Sequence, residues 1–244
     1  MKQTVLLTTA LAGSALTALV CMSNIARAAP IPFGYSCQGG CGTDGADGDV
    51  PLSPLKDPTY DYVTTTGGLT GVGQDPITPP VSPTNGSLLK TPTFAATAGT
   101  SLSYYFDFIT SDGGMYADNV WAALFTAAGK PVAELYNTTT AVSAYTIGES
   151  TVSWLGEWSN TCFDGGCGTT GWQSEDYKIA AAGKYYLEFG ATNAYDKNFD
   201  TGLAIDGISV GGVSINPVPE PISIALFGSG LFGLSLLRWR RRFS

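Results

Sequence analysis

From Ser101 the chain alternates between apolar and polar positions. Leu102, Tyr104, Phe106 and Phe108 share one phase, and Ser103, Tyr105 and Asp107 share the other. A period of two predicts a half-buried β-strand. Ser111-Asp112-Gly113-Gly114 closes it as a turn. Residues 120–125 and 132–136 predict two more strands, joined at Ala128-Gly129-Lys130. Tyr185, Leu187 and Phe189 fall in one phase after a turn at Gly183. Leu203 and Ile205 lie in one phase and Ile208 and Val210 in the other, so a bulge is expected at Asp206-Gly207. Val152, Trp154 and Trp158 share a phase around Gly156 and are expected together on the core face of a strand. Short strands, frequent turns and no amphipathic helix predict an all-β body, a β-sandwich of jelly-roll type spanning residues 93–215.

Upstream, residues 29–92 carry little periodicity. Pro51, Pro54, Pro58, Pro76, Pro79, Pro80 and Pro83 punctuate them, and Tyr60-Asp61-Tyr62-Val63 is the best strand candidate. This stretch is expected to hold loops and short edge strands that wrap the core. Residues 1–28 read as a signal peptide, with Lys2 in the charged region, an apolar stretch over 5–20 and the cleavage pattern Ala26-Arg27-Ala28. Cys21 follows Val20 rather than a small residue and is expected to leave with the signal.

The other end, residues 216–244, has three parts. Pro217-Val218-Pro219-Glu220-Pro221 comes first. Residues 222–237 follow, sixteen positions without a charge, and the basic tail over 238–242 carries Arg238, Arg240, Arg241 and Arg242. As a helix the apolar run spans roughly 24 Å against a hydrocarbon core of ~30 Å. Trp239 and the arginines extend it through the interface by snorkelling. The arginines keep the tail cytoplasmic and place the body outside. Val218, Pro219, Glu220 and Pro221, then the span, then the arginines resemble the PEP-CTERM sorting domain. The resemblance covers about a tenth of the chain. It implies recognition by an exosortase, cleavage near Pro219-Glu220-Pro221 and passage through the inner membrane of a Gram-negative bacterium. The destination it implies is the cell surface or a polysaccharide-rich extracellular matrix. The strings around Phe106 and Ile205 resemble strands of galactose-binding-like and carbohydrate-binding jelly rolls, and no ligand residue is carried over from that likeness.

Charge narrows the partners. Between Asp44 and Asp206 nineteen acidic residues face six lysines and no arginine, a balance of −13. Such a body repels nucleic acid and anionic membranes and suits neutral sugars or divalent cations. The chain has no histidine, which excludes Ser-His-Asp and Cys-His catalysis. Carboxylate pairs such as Glu149 and Glu157, or Glu175 and Asp176, are all that a glycoside hydrolase has to draw on, and no spacing singles one out. The body is therefore expected to be non-catalytic.

After signal removal Cys37, Cys41, Cys162 and Cys167 remain. An even count in an exported chain points to disulfides. Either each pair closes its own Gly-rich loop, Cys37–Cys41 and Cys162–Cys167, or the two loops are stitched together; local closure is favoured, and a four-thiolate zinc site is the remaining alternative. No cofactor is expected beyond a structural calcium. Its candidate ligands are Asp44 and Asp47, in one Gly-rich nonapeptide spacing, and Asp107 and Asp206, carboxylates set in apolar strands that need a partner or an ion. Trp172 and Tyr177 are the candidates for stacking on sugar rings, with Trp154 and Trp158 assigned to the core.

Overall fold

The computed structural model describes residues 31–141, 146, 147 and 151–215. The expected signal peptide, membrane span and sorting segment lie outside these residues. In chain order the strands begin with β1 (Ser36–Gln38), β2 (Gly40–Asp44), β3 (Tyr60–Thr64), β4 (Leu69–Thr70) and β5 (Pro83–Lys90). They continue with β6 (Phe94–Ala96), β7 (Ser101–Thr110), β8 (Asn119–Thr126), β9 (Pro131–Thr139) and β10 (Thr146–Ile147). A 3-10 helix, Ser153–Trp158, precedes β11 (Gly168–Thr169), β12 (Gln173–Lys178), β13 (Gly183–Ala194), β14 (Thr201–Val210) and β15 (Val213–Ser214).

Two antiparallel sheets result. The first runs β1-β5-β13-β8-β9, with β4 beside β5 and β6 beside β13. The second runs β10-β11-β7-β14-β3-β2, with β12 beside β7 and β15 beside β14. Between them lies the main core, built from the inward phase of each strand. It takes Leu102, Tyr104, Phe106 and Phe108 from β7, Leu187 and Phe189 from β13, Val120, Ala122 and Leu124 from β8, and Leu203 and Ile205 from β14. Burying one such Leu or Phe side chain contributes about 1.5–3 kcal/mol. The register of β7 and β14 shifts between Asp206 and Ser209, so Ile208 returns to the core after Ile205. The expected bulge is there, and Gly207 carries its positive φ of 64°.

The outward phases are apolar too. On the first sheet Trp121, Ala123, Phe125 and Tyr186 form a second cluster, and the Trp121 indole N–H donates to the Gly73 carbonyl at 2.7 Å. On the second sheet Tyr60, Tyr62, Ile109 and Ala204 form a third, covered by Val50, Val152, Trp154 and Leu155. The central strands of each sheet are thus buried on both faces, while β9 and β12 at the margins stay partly exposed.

Two expectations are corrected. Residues 29–92 do not merely wrap the core. β3 lies between β14 and β2, and β5 between β1 and β13. The sequence of β5 hides it, because Pro83, Asn85 and Gly86 have low strand propensity. Pro83 sits at the first position, where no ladder N–H is needed. The buried Asn85 donates to the Thr65 carbonyl, and the buried Ser87 hydroxyl accepts from Gly40 N–H. The second correction concerns Trp154 and Trp158, which lie on the 3-10 helix and not on a strand. Gly156 inside it has φ 63°, ψ −129°, a backbone region open to glycine. Trp154 is consequently buried, while Trp158 turns to Phe199 at a ring distance of 4.4 Å.

Both disulfides are local, Cys37–Cys41 and Cys162–Cys167. The first also joins the sheets, since β1 belongs to one and β2 to the other with only Gly39 between. A Cβ at Gly190 would sit 2.2 Å from the Trp121 indole nitrogen. Overpacking of this kind costs about 1–3 kcal/mol. Gly190→Ala should therefore lower the melting temperature by roughly 5 °C, measured by circular dichroism. An unchanged melting curve would show that Trp121 can leave the Gly73 carbonyl freely.

Candidate functional site

A cleft of about 290 Å³ opens where β2 and β3 of the second sheet meet the 3-10 helix. Gly39, Gly40 and Cys41 of the first cysteine loop make one wall; Ser153, Trp154 and Gly156 make the other; Asp44, Tyr62, Thr64 and Thr66 complete it. The aromatic phase of β3 prepares it. Tyr62 stacks on Trp154 with ring centres 5.0 Å apart and planes 9° apart. The Trp154 indole N–H donates to the Tyr60 hydroxyl at 3.2 Å. The Tyr62 and Trp154 rings are both nearly buried, so the cleft has no open aromatic platform.

The acidic loop before β3 holds the opposite wall in place. Asp47 Oδ2 accepts from Ser153 N–H at 2.6 Å, and Asp49 Oδ2 accepts from Thr151 N–H at 3.0 Å. Asp44 Oδ1 accepts from Gly45 N–H at 2.8 Å. Desolvation pushes the Asp44 carboxyl above its usual range, opposed by the Gly45 N–H and reinforced by Asp47. On the floor, the hydroxyls of Thr65 and Thr66 donate to the two oxygens of Asp200, each at 2.7 Å. The lining therefore offers hydroxyls, a carboxylate, aromatic carbon and close backbone. It contains no lysine or arginine. Such a surface hydrogen-bonds neutral polyols and repels anions.

The other candidates lie apart from one another. Asp107 is fully buried, and the hydroxyls of Thr169 and Thr170 donate to its Oδ1 while Oδ2 has no donor. Asp206 accepts from the Ser53 hydroxyl and from Gly207 N–H. Among the described residues no three histidine, cysteine, aspartate or glutamate side chains converge on a metal position. Trp172 packs on the outer cluster and donates to the Pro51 carbonyl at 2.7 Å, whereas Tyr177 packs against the main core. The two do not form one stacking platform. Glu175 and Asp176 are successive on β12 and so point to opposite faces. Glu149 lies outside the described residues. Sequence reasoning assigned no role to Tyr62, Thr64, Thr66 or Ser153. The alternation Tyr60-Asp61-Tyr62-Val63 held the signal, since it puts two aromatic rings on one face.

That same alternation turns Asp61 inward with Val63. Asp61 is 4% exposed, and its Oδ2 has no donor. Burial, with the Asp206 charge adding to it, pushes Asp61 up to about 7. Burial pushes Asp107 up to about 6 against the opposing threonine and Gly171 donors. Both folded values lie above the ~3.9 of an unfolded aspartate. Between those values the folded chain binds protons that the unfolded chain has released, so stability falls as pH rises from about 4 to 7. The melting temperature should be several degrees higher at pH 5 than at pH 8. Asp61→Asn should flatten the profile, and a melting temperature that climbs over this range would contradict the protonated carboxyls.

Residues 217–242 match the PEP-CTERM protein-sorting motif. No curated protein matches the chain in sequence. In structure the chain is similar to the K1 cleaved adhesin domain of Lys-gingipain from Porphyromonas gingivalis, at 18% identity over 72% of this chain and 92% of that one, with a TM-score of 0.37. The K2 cleaved adhesin domain of Lys-gingipain is similar at 13% identity, 77% and 93% coverage and a TM-score of 0.40. A carbohydrate-binding module, TmCBM61, solved in complex with β-1,4-galactotriose, is similar at 8% identity, 74% and 89% coverage and a TM-score of 0.35. Likeness at these scores carries no argument about a ligand. Among the described residues no helix is long and apolar enough to cross a membrane. The two-sheet body leads into a C-terminal segment, residues 217–242, that carries the PEP-CTERM protein-sorting motif.

Proposed function

We propose that this chain is an exported protein, cut by an exosortase near Pro219-Glu220-Pro221 and delivered to the surface or extracellular matrix of a Gram-negative bacterium. Its body is a non-catalytic module that binds neutral segments of extracellular polysaccharide in the cleft beside Trp154. The observation that carries this reading is the lining itself: Asp44, Thr64, Thr66 and Ser153 beside Tyr62 and Trp154, without a cationic side chain. Sugar hydroxyls need donors and acceptors in that mixture, and the aromatic carbon beside them adds apolar contact. The negative balance between Asp44 and Asp206 argues against nucleic acid as the partner.

A second reading, a structural matrix component that binds nothing small, is favoured by one observation. Trp154 is only 6% exposed, so the cleft has no open aromatic platform. Affinity electrophoresis through the host's own extracellular polysaccharide separates the two readings. Retardation supports the binding module. Asp44→Asn and Ser153→Ala should then each weaken binding about tenfold, the worth of one hydrogen bond to a ligand, without moving the melting temperature. No retardation of the parent protein supports the structural reading. Sorting is tested separately by the intact mass of the mature protein from its host. It should end near Pro219-Glu220-Pro221 and gain the hydrogens of two disulfides on reduction. A mass that retains the arginine tail would mean an uncut membrane anchor.

A further inference from the structure

Four aromatic side chains gather at one end of the sandwich, each from a different connection. Trp158 closes the 3-10 helix, Phe163 stands in the Cys162–Cys167 loop, Phe199 precedes β14, and Tyr116 lies between β7 and β8. Ring centres are 4.4 Å apart for Trp158 and Phe199, 4.8 Å for Phe199 and Phe163, and 5.4 Å for Phe163 and Tyr116. The rings therefore follow one another in a row, and all four residues are partly exposed. None belongs to the main core or to either outer cluster.

The backbone is bent to hold this row. Phe163 N–H donates to the Ser111 carbonyl at 3.0 Å, and Ser111 N–H donates to the Asp200 carbonyl at 3.0 Å. The segments that carry Phe163 and Phe199 are thus tied to one residue. Asn160, Asp164, Tyr195 and Phe199 have positive φ, four of the six such non-glycine residues among the described ones. For a bulky residue such as Phe199, with φ 58°, this region is sterically disfavoured. Backbone of that kind concentrates where a binding surface is held in shape.

The row continues the cleft. Gly156 lines the cleft, and Trp158 follows two residues later. Thr66 also lines it, and its hydroxyl donates to Asp200, the residue next to Phe199. The Cys37–Cys41 loop walls the cleft and the Cys162–Cys167 loop carries Phe163, so a disulfide braces each part.

We propose that the row of Trp158, Phe199, Phe163 and Tyr116 extends the cleft into a track for a run of several neutral pyranose units. The inference rests on the reading of the cleft as a polysaccharide site. The cleft supplies hydrogen bonds, and the row supplies the aromatic contact that the cleft lacks. Asn160, Asp164 and Asn198 are exposed on the same segments. Aromatic surface interleaved with amide and carboxylate groups fits a polymer that presents C–H surface and hydroxyls together. The exposed charges there, Glu157, Asp164 and Lys197, form no basic cluster for an anionic polymer. A protein partner would need a contiguous dry apolar centre, which four partly exposed rings among polar side chains do not provide.

The test uses the full chain in detergent and the host's extracellular polysaccharide, cut to disaccharides and to octasaccharides. Calorimetry gives the affinity for each length. The parent should bind octasaccharides about tenfold more tightly than disaccharides. Trp158→Ala and Phe163→Ala should each remove about that tenfold for octasaccharides and leave disaccharide binding unchanged. Ser153→Ala, in the cleft, should weaken both lengths. A readout on the parent needs no variant to fold: octasaccharides should protect Trp158 from oxidation by N-bromosuccinimide, measured by peptide mass, and disaccharides should not. Full octasaccharide affinity in both row variants, or Trp158 oxidised equally fast with and without octasaccharide, overturns the track. The cleft reading then stands if Ser153→Ala still weakens binding. Loss of disaccharide binding in the row variants, with Ser153→Ala silent, overturns both, because the row alone would be the site. A parent that binds neither length fails the cleft reading itself, and the track with it.

Discussion

The central strands of both sheets are apolar on both faces, and a two-layer sandwich can bury only one face of each. β8 makes the constraint plain, with Val120, Ala122 and Leu124 in the shared core and Trp121, Ala123 and Phe125 on the far side. β14 and β3 repeat it with Ala204, Tyr60 and Tyr62. Apolar surface left in water costs about 25 cal/mol per Å², so each outer face must be roofed. Since no further sheet is available, irregular segments form the roof. The loop around Gly73 covers Trp121, and the segment carrying Val152, Trp154 and Leu155 covers Tyr62. The cleft lies where that second roof meets β2 and β3.

Those roofs are irregular backbone, and buried irregular backbone needs partners for its N–H groups. This chain supplies them from carboxylates. Asp47 and Asp49 hold Ser153 and Thr151. Threonine hydroxyls satisfy the carboxylates in turn, as Thr65 and Thr66 do for Asp200. A body with no arginine between Asp44 and Asp206 thus uses aspartate as an acceptor for backbone and hydroxyl rather than as half of an ion pair. Where an oxygen is left without a donor, at Asp61, Asp107 and Asp112, burial drives the carboxyl toward its protonated form.

Period-two alternation made β7, β8, β13 and β14 legible, along with the bulge at Asp206-Gly207, because those signals are local. The same logic failed at Trp154 and Trp158, where Gly156 bends the backbone into a 3-10 turn and breaks the phase that the side chains suggest. It failed again at β5. There the strand is held by what surrounds it, Ser87 by Gly40 and Asn85 by Thr65, and its own residues have little extended preference. The candidate calcium positions illustrate the same limit. Asp44 and Asp47 have a suggestive spacing, yet the backbone of a segment a hundred residues away takes up Asp47.

By itself the sequence determined the all-β class, most of the core strands, the acidic and histidine-free chemistry and the C-terminal sorting motif. Each is written in neighbouring residues or in composition. Only the tertiary structure decided which strands pair, that a local disulfide joins the two sheets, where the cleft opens and that Asp118 bridges Ala194 and Thr201. The physical reason is distance along the chain. Tyr62 and Trp154 stack across more than ninety positions, and Asp118 takes the Thr201 hydroxyl across more than eighty. No periodicity or spacing encodes such meetings, which arise only when two twisted sheets close on a common core.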